Sequence, residues 1–179
     1  MNDYIRIYTD AVYSLAKEED MLGQFLNDMR AVRDILNEYP EYTALADAPT
    51  VETGERIELL DKAFSGQVSA YVLNFMKVLA EKRRMHMFEQ CFDAFSARYN
   101  EEYNIVHVQA ITAAALSEKM TDVLKEKLAS TLGKTVILTN TVDPACMGGI
   151  ILRYENKQID GSVRARLETL RNQLTSAII

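Results

Sequence analysis

The 179-residue sequence contains no tryptophan, two cysteines, two histidines, three prolines and seven glycines. Each shortage excludes something. Cys91 and Cys146 form neither a zinc-ligand spacing nor a disulfide framework, so they read as ordinary thiols of a reducing compartment. With only His86 and His107, a histidine-based metal or acid–base centre has little material. His86 and Cys91 stand five apart on one helix and point to different faces. So few prolines and glycines exclude a fibrous or low-complexity chain. No apolar run reaches the roughly 18–20 residues that span a bilayer. The opening Met1-Asn2-Asp3-Tyr4 lacks the basic and apolar regions of a signal peptide. Positive charge is also in deficit, with 20 basic against 26 acidic residues and a net charge of -6. That balance disfavours a general nucleic-acid binder. The expectation is a soluble intracellular protein.

What is present is a 48% hydrophobic chain whose apolar period changes once. Up to about Asn104 the period is helical. Ile5, Tyr8, Val12 and Leu15 form one stripe. Leu22, Phe25, Leu26, Met29, Val32 and Leu36 form a second, ended by Tyr39-Pro40. Tyr42, Leu45 and Ala46 suggest a short third helix, and Ile57, Leu60 and Phe64 a fourth. Ser69 is positioned to cap a fifth that carries Val72, Phe75, Met76 and Leu79. Phe88, Cys91, Phe92, Phe95 and Tyr99 make the sixth. Six amphipathic helices with short connections predict a helical bundle over residues 1–104.

After Tyr103, Val106, Val108 and Ala110 alternate with His107 and Gln109, which is strand period. Ser117 and Gly133 bracket a helix. Val136-Ile137-Leu138 and Ile150-Ile151-Leu152 read as two further strands. The last helix carries Val163, Leu167, Leu170 and Leu174. The fold class expected is therefore α+β: a six-helix bundle, then a small α/β unit over 105–179 in the order β-α-β-β-α. The first segment holds 11 basic and 19 acidic residues, the second 9 and 7, which suggests two different partner surfaces.

No catalytic constellation emerges. Gly133-Lys134-Thr135 resembles the end of a phosphate loop, but Leu128 stands where its first glycine is required, and the segment runs from helix into strand rather than the reverse. Ser162 is read as an N-cap, and Gly148-Gly149 as a turn or bulge before a strand. The run Glu81-Lys82-Arg83-Arg84 suits either an acidic or phosphate-bearing partner or a solvated helix end. The residues leave open a two-domain adaptor and an enzyme without a recognisable motif, for instance one pairing Asp160 with His107.

Several segments together resemble the δ subunit family of bacterial F-type ATP synthases, which includes the mitochondrial oligomycin-sensitivity-conferring protein. They are Arg6-x-Tyr8-x-x-Ala11-x-x-x-Leu15-Ala16; Asn74-Phe75-x-x-x-Leu79-x-Glu81-Lys82-x-Arg84; Val142-Asp143-Pro144-x-x-x-Gly148-Gly149-Ile150; and Ile159-Asp160-Gly161-Ser162-Val163-x-x-x-Leu167-x-x-Leu170. Thr9, where the family usually has alanine, and Cys146-Met147 before the glycine pair are small departures. The lack of a transit peptide favours a bacterial chain over an organellar precursor.

The resemblance implies a non-catalytic peripheral-stalk, or stator, subunit without cofactor or metal. The implied partners are the N-termini of the α subunits for the bundle and the C-termini of the b subunits for the second unit. The implied place is the cytoplasmic face of the bacterial cell membrane, with membrane association only through the complex, and no nucleic acid is bound. The family's α-subunit groove lies between the first and fifth helices. Carried over, it comprises Tyr8, Ala11, Val12 and Leu15 on one side and Asn74, Val78 and Leu79 on the other. On the last helix, Leu170 and Leu174 are expected to face the b subunits, whereas Val163 and Leu167 are expected to pack on the unit's own strands. Asp143, Gly148, Gly149, Asp160, Gly161 and Ser162 carry the family motif in a structural role.

Overall fold

The structure is a computed structural model that describes residues 3–177, without the side chains of Leu170 and residues 172–177. The chain divides into two compact units, Met1–Tyr99 and Asn100–Ile179, so the division falls inside the sixth helix rather than after it. Among the described residues no helix is long and apolar enough to cross a membrane.

The first unit holds α1 (Asp3–Glu18), α2 (Leu22–Glu38), α3 (Pro40–Asp47), α4 (Thr53–Phe64), α5 (Ala70–Glu81), a 3₁₀ turn at Met85–Met87 and most of α6 (Phe88–Glu102). Pro40 does not merely end α2; it is the first residue of α3, where its missing N–H costs nothing. Ser69 caps α5, its Oγ accepting from the Val72 N–H. Asp28 of α2 in turn accepts the Ser69 N–H at 2.8 Å, tying the start of α5 to α2. Asp47, at the end of α3, accepts the N–H groups of Met85 and His86 at 2.7 and 3.0 Å and so starts the 3₁₀ turn. Phe25, Phe64, Phe88, Phe95, Met29, Leu60, Met76 and Leu79 are all but completely buried at the centre.

Two polar side chains enter this core. Thr9 is 2% exposed and its hydroxyl makes no hydrogen bond of good geometry. It faces the Cys91 thiol, which burial pushes up and the weak contact with Thr9 pulls slightly down. Arg56, also 2% exposed, occupies the inward stripe of α4 with Leu60 and Phe64. Its guanidinium donates to the Ala80 carbonyl at 2.6 Å, to the Ala46 carbonyl at 3.4 Å and to Thr53 Oγ1 at 2.8 Å. Apolar periodicity assigns Ile57 to this stripe; the structure puts Arg56 there and leaves Ile57 half-buried.

The second unit holds β1 (Ile105–Thr112), α7 (Glu118–Leu132), β2 (Thr135–Val142), a 3₁₀ turn at Pro144–Cys146, β3 (Ile150–Tyr154), β4 (Lys157–Asp160) and α8 (Val163–Ala177). The sheet order is β2-β1-β3-β4. β1 and β2 pair in parallel across the α7 crossover, and the other pairs are antiparallel. The expected order thus gains a strand. Between Tyr154 and Lys157 only Glu155-Asn156 turns, with Glu155 at φ 50, and its flanks pair as β3 and β4. Val106, Val108, Ala110, Val136 and Leu152 form the small core, covered by Leu124, Leu128, Ala129 and Leu132 of α7. Asn140 closes the end of this layer by accepting the Leu116 N–H and donating to the Ala110 carbonyl and Thr112 Oγ1.

Gly133 is a left-handed helix stop at φ 65, and Lys134 Nζ pairs with Glu155 at 2.8 Å. The phosphate-loop likeness is therefore a helix end before a strand. Val163 and Leu167, expected against the strands, are instead 43% and 51% exposed. Leu170 and Leu174 lie outside the described side chains.

Candidate functional site: a groove between α1 and α5

α1 carries more apolar surface than its core contact consumes. Ile5, Thr9, Val12, Tyr13 and Ala16 point inward. Tyr8, Ala11 and Leu15, spaced three and four apart, form a second ridge beside them, and residues at this spacing stack along one helix face. α5 repeats the arrangement. Val72, Leu73, Phe75, Met76, Leu79 and Ala80 are buried, and Tyr71, Asn74 and Val78 form the outer ridge at the same spacing.

The two ridges border a groove of about 280 Å³, floored by Val12, Phe25 and Phe75. Phe25 of α2, fully buried, stacks on Tyr71 with centroids 5.7 Å apart and holds that wall upright. Ala11 and Asn74 are exposed, and Val78 is 43% exposed. The Tyr71 hydroxyl bonds Glu19; the nearby carboxylate charge, the hydrogen bond and burial raise its pKa, in that order. At the other end Arg84 donates to Tyr8 Oη at 3.1 Å.

Tyr8, Ala11, Val12, Leu15, Asn74 and Val78 thus share one groove, as expected for them from the sequence. Leu79 does not: it is 0% exposed and points into the core. It follows Val78, and one residue rotates a helix by about 100°, which carries the side chain from the groove wall to the interior. Phe25 and Phe75 read as core from their spacing alone, and Tyr71 belongs to no stripe in the sequence. The aromatic i, i+4 pair Tyr71 and Phe75 beside Asn74 is nevertheless a usable signal of this wall.

The motif residues of the second unit meet at a junction. Met147, Gly148 and Gly149 all have positive φ, at 58°, 134° and 78°. Their backbone lies against the start of α8: Gly161 N–H donates to the Ile150 carbonyl at 2.9 Å and Val163 N–H to the Gly148 carbonyl at 3.0 Å. Ser162 is 3% exposed and caps α8 through the Ala165 N–H at 3.1 Å. Asp160 Oδ1 accepts the Ser162 N–H at 2.9 Å, and Asp143 Oδ1 accepts the Ala145 N–H at 2.9 Å. This is a structural lock. The alternative pairing of Asp160 with His107 fails on register, because Asp160 lies across β3 from Ile111, four residues along β1 from His107.

The hydrogen bonds from the Ser162 backbone and side chain hold the Asp160 carboxyl below the usual carboxylate range. A group with a depressed folded-state pKa contributes its full share above its unfolded pKa and loses it as pH falls through the folded one. Melting temperature followed from neutral to acid pH is therefore expected to fall less steeply for Asp160→Asn than for wild type. Parallel curves would remove this contribution.

Among the described residues no group of three or more His, Cys, Asp or Glu side chains is placed to hold a metal ion. The described residues form an open, mostly apolar groove in the first unit and a small four-stranded sheet in the second.

The family described as ATP synthase delta (OSCP) subunit matches residues 5–174. ATP synthase subunit delta of Leuconostoc mesenteroides is 33% identical over 97% of both chains. That of Clostridioides difficile is 30% identical over 96% of this chain and 95% of its own. That of Desulforamulus reducens is 32% identical over 96% and 94%. A chain in the cryo-EM structure of the Toxoplasma gondii mitochondrial ATP synthase hexamer shares the fold, with a TM-score of 0.69 at 23% identity over 94% of this chain and 95% of its own. With motif segments, fold and near full-length relatives in accord, the chain belongs to the ATP synthase delta (OSCP) subunit family.

Proposed function

We propose that this chain, as a peripheral-stalk subunit of an ATP synthase, is a non-catalytic tether: its helical unit binds the N-terminal helix of an α subunit, and its second unit binds the C-terminal ends of the b subunits. The tether holds the catalytic head against rotor torque while proton flow drives ATP synthesis. It works at the cytoplasmic face of a bacterial cell membrane, attached only through its partners.

The observation that carries this reading is the open α1/α5 groove. Its paired ridges have the 3–4 spacing into which the apolar face of an amphipathic helix packs. Affinity arises from apolar area withdrawn from water, at roughly 25 cal/mol per Å² before the costs of association. Small Ala11 lets the guest backbone approach closely. Titrating the full chain with a synthetic α-subunit N-terminal peptide is expected to give saturable binding with induced helicity. Ala11→Trp fills the groove and is expected to weaken binding by about 2 kcal/mol, or some thirtyfold, at unchanged melting temperature. Equal affinity for that variant would remove α1 from the site.

For the second unit, exposed Val163 and Leu167 extend the apolar stripe of α8 toward solvent. A chain ending at Arg166 is expected to lose capture of the b subunits while keeping α-peptide binding. Undiminished capture would move the contact away from α8.

A further inference from the structure

Arg84 stands beside Tyr8 at one end of the groove and ends the Asn74–Arg84 motif segment, and its charge meets aromatic rings rather than a carboxylate. Its backbone N–H donates to the Leu79 carbonyl at 2.8 Å, which fixes it just beyond α5. Its guanidinium carbon lies 3.6 Å from the Tyr4 ring centroid and 5.8 Å from that of Tyr8, and Nη1 donates to Tyr8 Oη. Both partners are neutral aromatics.

Neighbouring cations are engaged elsewhere. Lys82 pairs with Glu81, Lys77 with Asp61 and Arg98 with Asp10, while Arg83 donates to the Pro49 carbonyl. Among the described residues no carboxylate pairs with Arg84, in a segment where 19 of 30 charged side chains are acidic. Two tyrosines hold the guanidinium half-buried and oriented at the mouth of the groove, so pairing costs little further side-chain entropy. At the opposite end stands Glu19, bonded to Tyr71. The groove is mostly apolar, with the Arg84 guanidinium at one end and the Glu19 carboxylate at the other.

We propose that Arg84 is the specificity residue of the groove: it pairs with an acidic side chain flanking the apolar strip of the docked helix and fixes which way round that helix lies. A helix laid in reverse brings its acid to Glu19, where like charges repel, so the groove selects by attraction at one end and repulsion at the other. This reading rests on the docking proposal and specifies its guest.

The test is a double-mutant cycle on the full chain. The probes are the α-subunit N-terminal peptide and versions in which each Asp or Glu is singly changed to Asn or Gln. They are titrated into wild type, Arg84→Lys and Arg84→Gln, with thermal melts to follow folding. One acidic replacement is expected to weaken binding about tenfold in wild type, by less than about twofold in Arg84→Gln, and by an intermediate factor in Arg84→Lys. Each peptide is compared with the unmodified one on the same protein, so an affinity loss that a variant shows for every peptide cancels from the cycle. If the unmodified peptide binds wild type but every acidic replacement has the same effect with and without the guanidinium, the Arg84 proposal is overturned and the docking proposal stands. If the unmodified peptide does not bind wild type, both fall.

Discussion

Arg56→Ala is expected to lower the stability of the helical unit by about 4 kcal/mol, one of the two largest single-residue effects in the chain. Among the described residues no carboxylate pairs with the buried guanidinium. Its acceptors are the Ala46 and Ala80 carbonyls, at the C-terminal ends of α3 and α5. Each helix end carries up to about half a negative charge, so two ends together offset roughly one positive charge. Removing the side chain leaves the Ala46 carbonyl without its side-chain donor and the Ala80 carbonyl with backbone donors alone, such as the Arg83 N–H, at about 1–3 kcal/mol for a buried group left unpaired, and leaves a cavity as well. For a unit of this size the melting transition should drop by some 15 °C or more. Arg56→Lys keeps the charge without the fork and should recover only part of the loss. If Arg56→Ala melts within a few degrees of wild type, the carbonyls are satisfied in another way and the clamp is unimportant.

The second large effect lies in the other unit. Gly149 has φ 78, and a Cβ placed on it would lie 2.4 Å from the Gly161 carbonyl oxygen and 3.0 Å from Ser162 Cα. Both neighbours are backbone and cannot rotate away. Gly149→Ala must therefore separate the start of β3 from the start of α8, breaking the hydrogen bonds of Gly161 and Val163. Gly133 provides an internal control: it has φ 65, but a methyl group added there would meet nothing within 4 Å. Gly133→Ala is expected to cost only the left-handed penalty of about 1–2 kcal/mol. Gly149→Ala should cost about 2–3 kcal/mol more, since the collision adds lost hydrogen bonds to the same strain. Equal losses in chemical denaturation of the two variants would mean that the junction yields without cost.

The contrast between these two sites shows what the amino-acid pattern discloses. Helix positions are legible because apolar residues at 3.6 spacing and caps such as Ser69, Ser117 and Gly133 report on local backbone, and local backbone is what formed. The glycine and Asp-Gly-Ser segments are legible as separate turns. That they touch is a tertiary fact, visible only when the Gly149 Cβ position is built against Gly161. β4 is hidden because all four of its residues are exposed, so no alternation of burial marks Lys157–Asp160 as a strand.

Arg56 is hidden for the opposite reason. Its place at four-residue spacing from Leu60 and Phe64 is a core spacing, but a cation there is discounted until two helix ends are found to meet it. Leu79 and Val78 are both apolar and adjacent, so periodicity could not decide which of them faces the core and which the groove. Packing decides it: α5 turns Leu79 onto the central phenylalanines and leaves Val78 outside.

Whether a helix of the α subunit lies in the α1/α5 groove is decided by cryo-EM density of the assembled synthase containing this chain. The expected result is a rod of helical density lying along the two ridges, in van der Waals contact with Ala11 and Val78 and continuous with the N-terminus of an α subunit. Empty density over Tyr8, Ala11 and Val78, with the α-subunit N-termini attached to another face of the bundle, would refute the docking proposal.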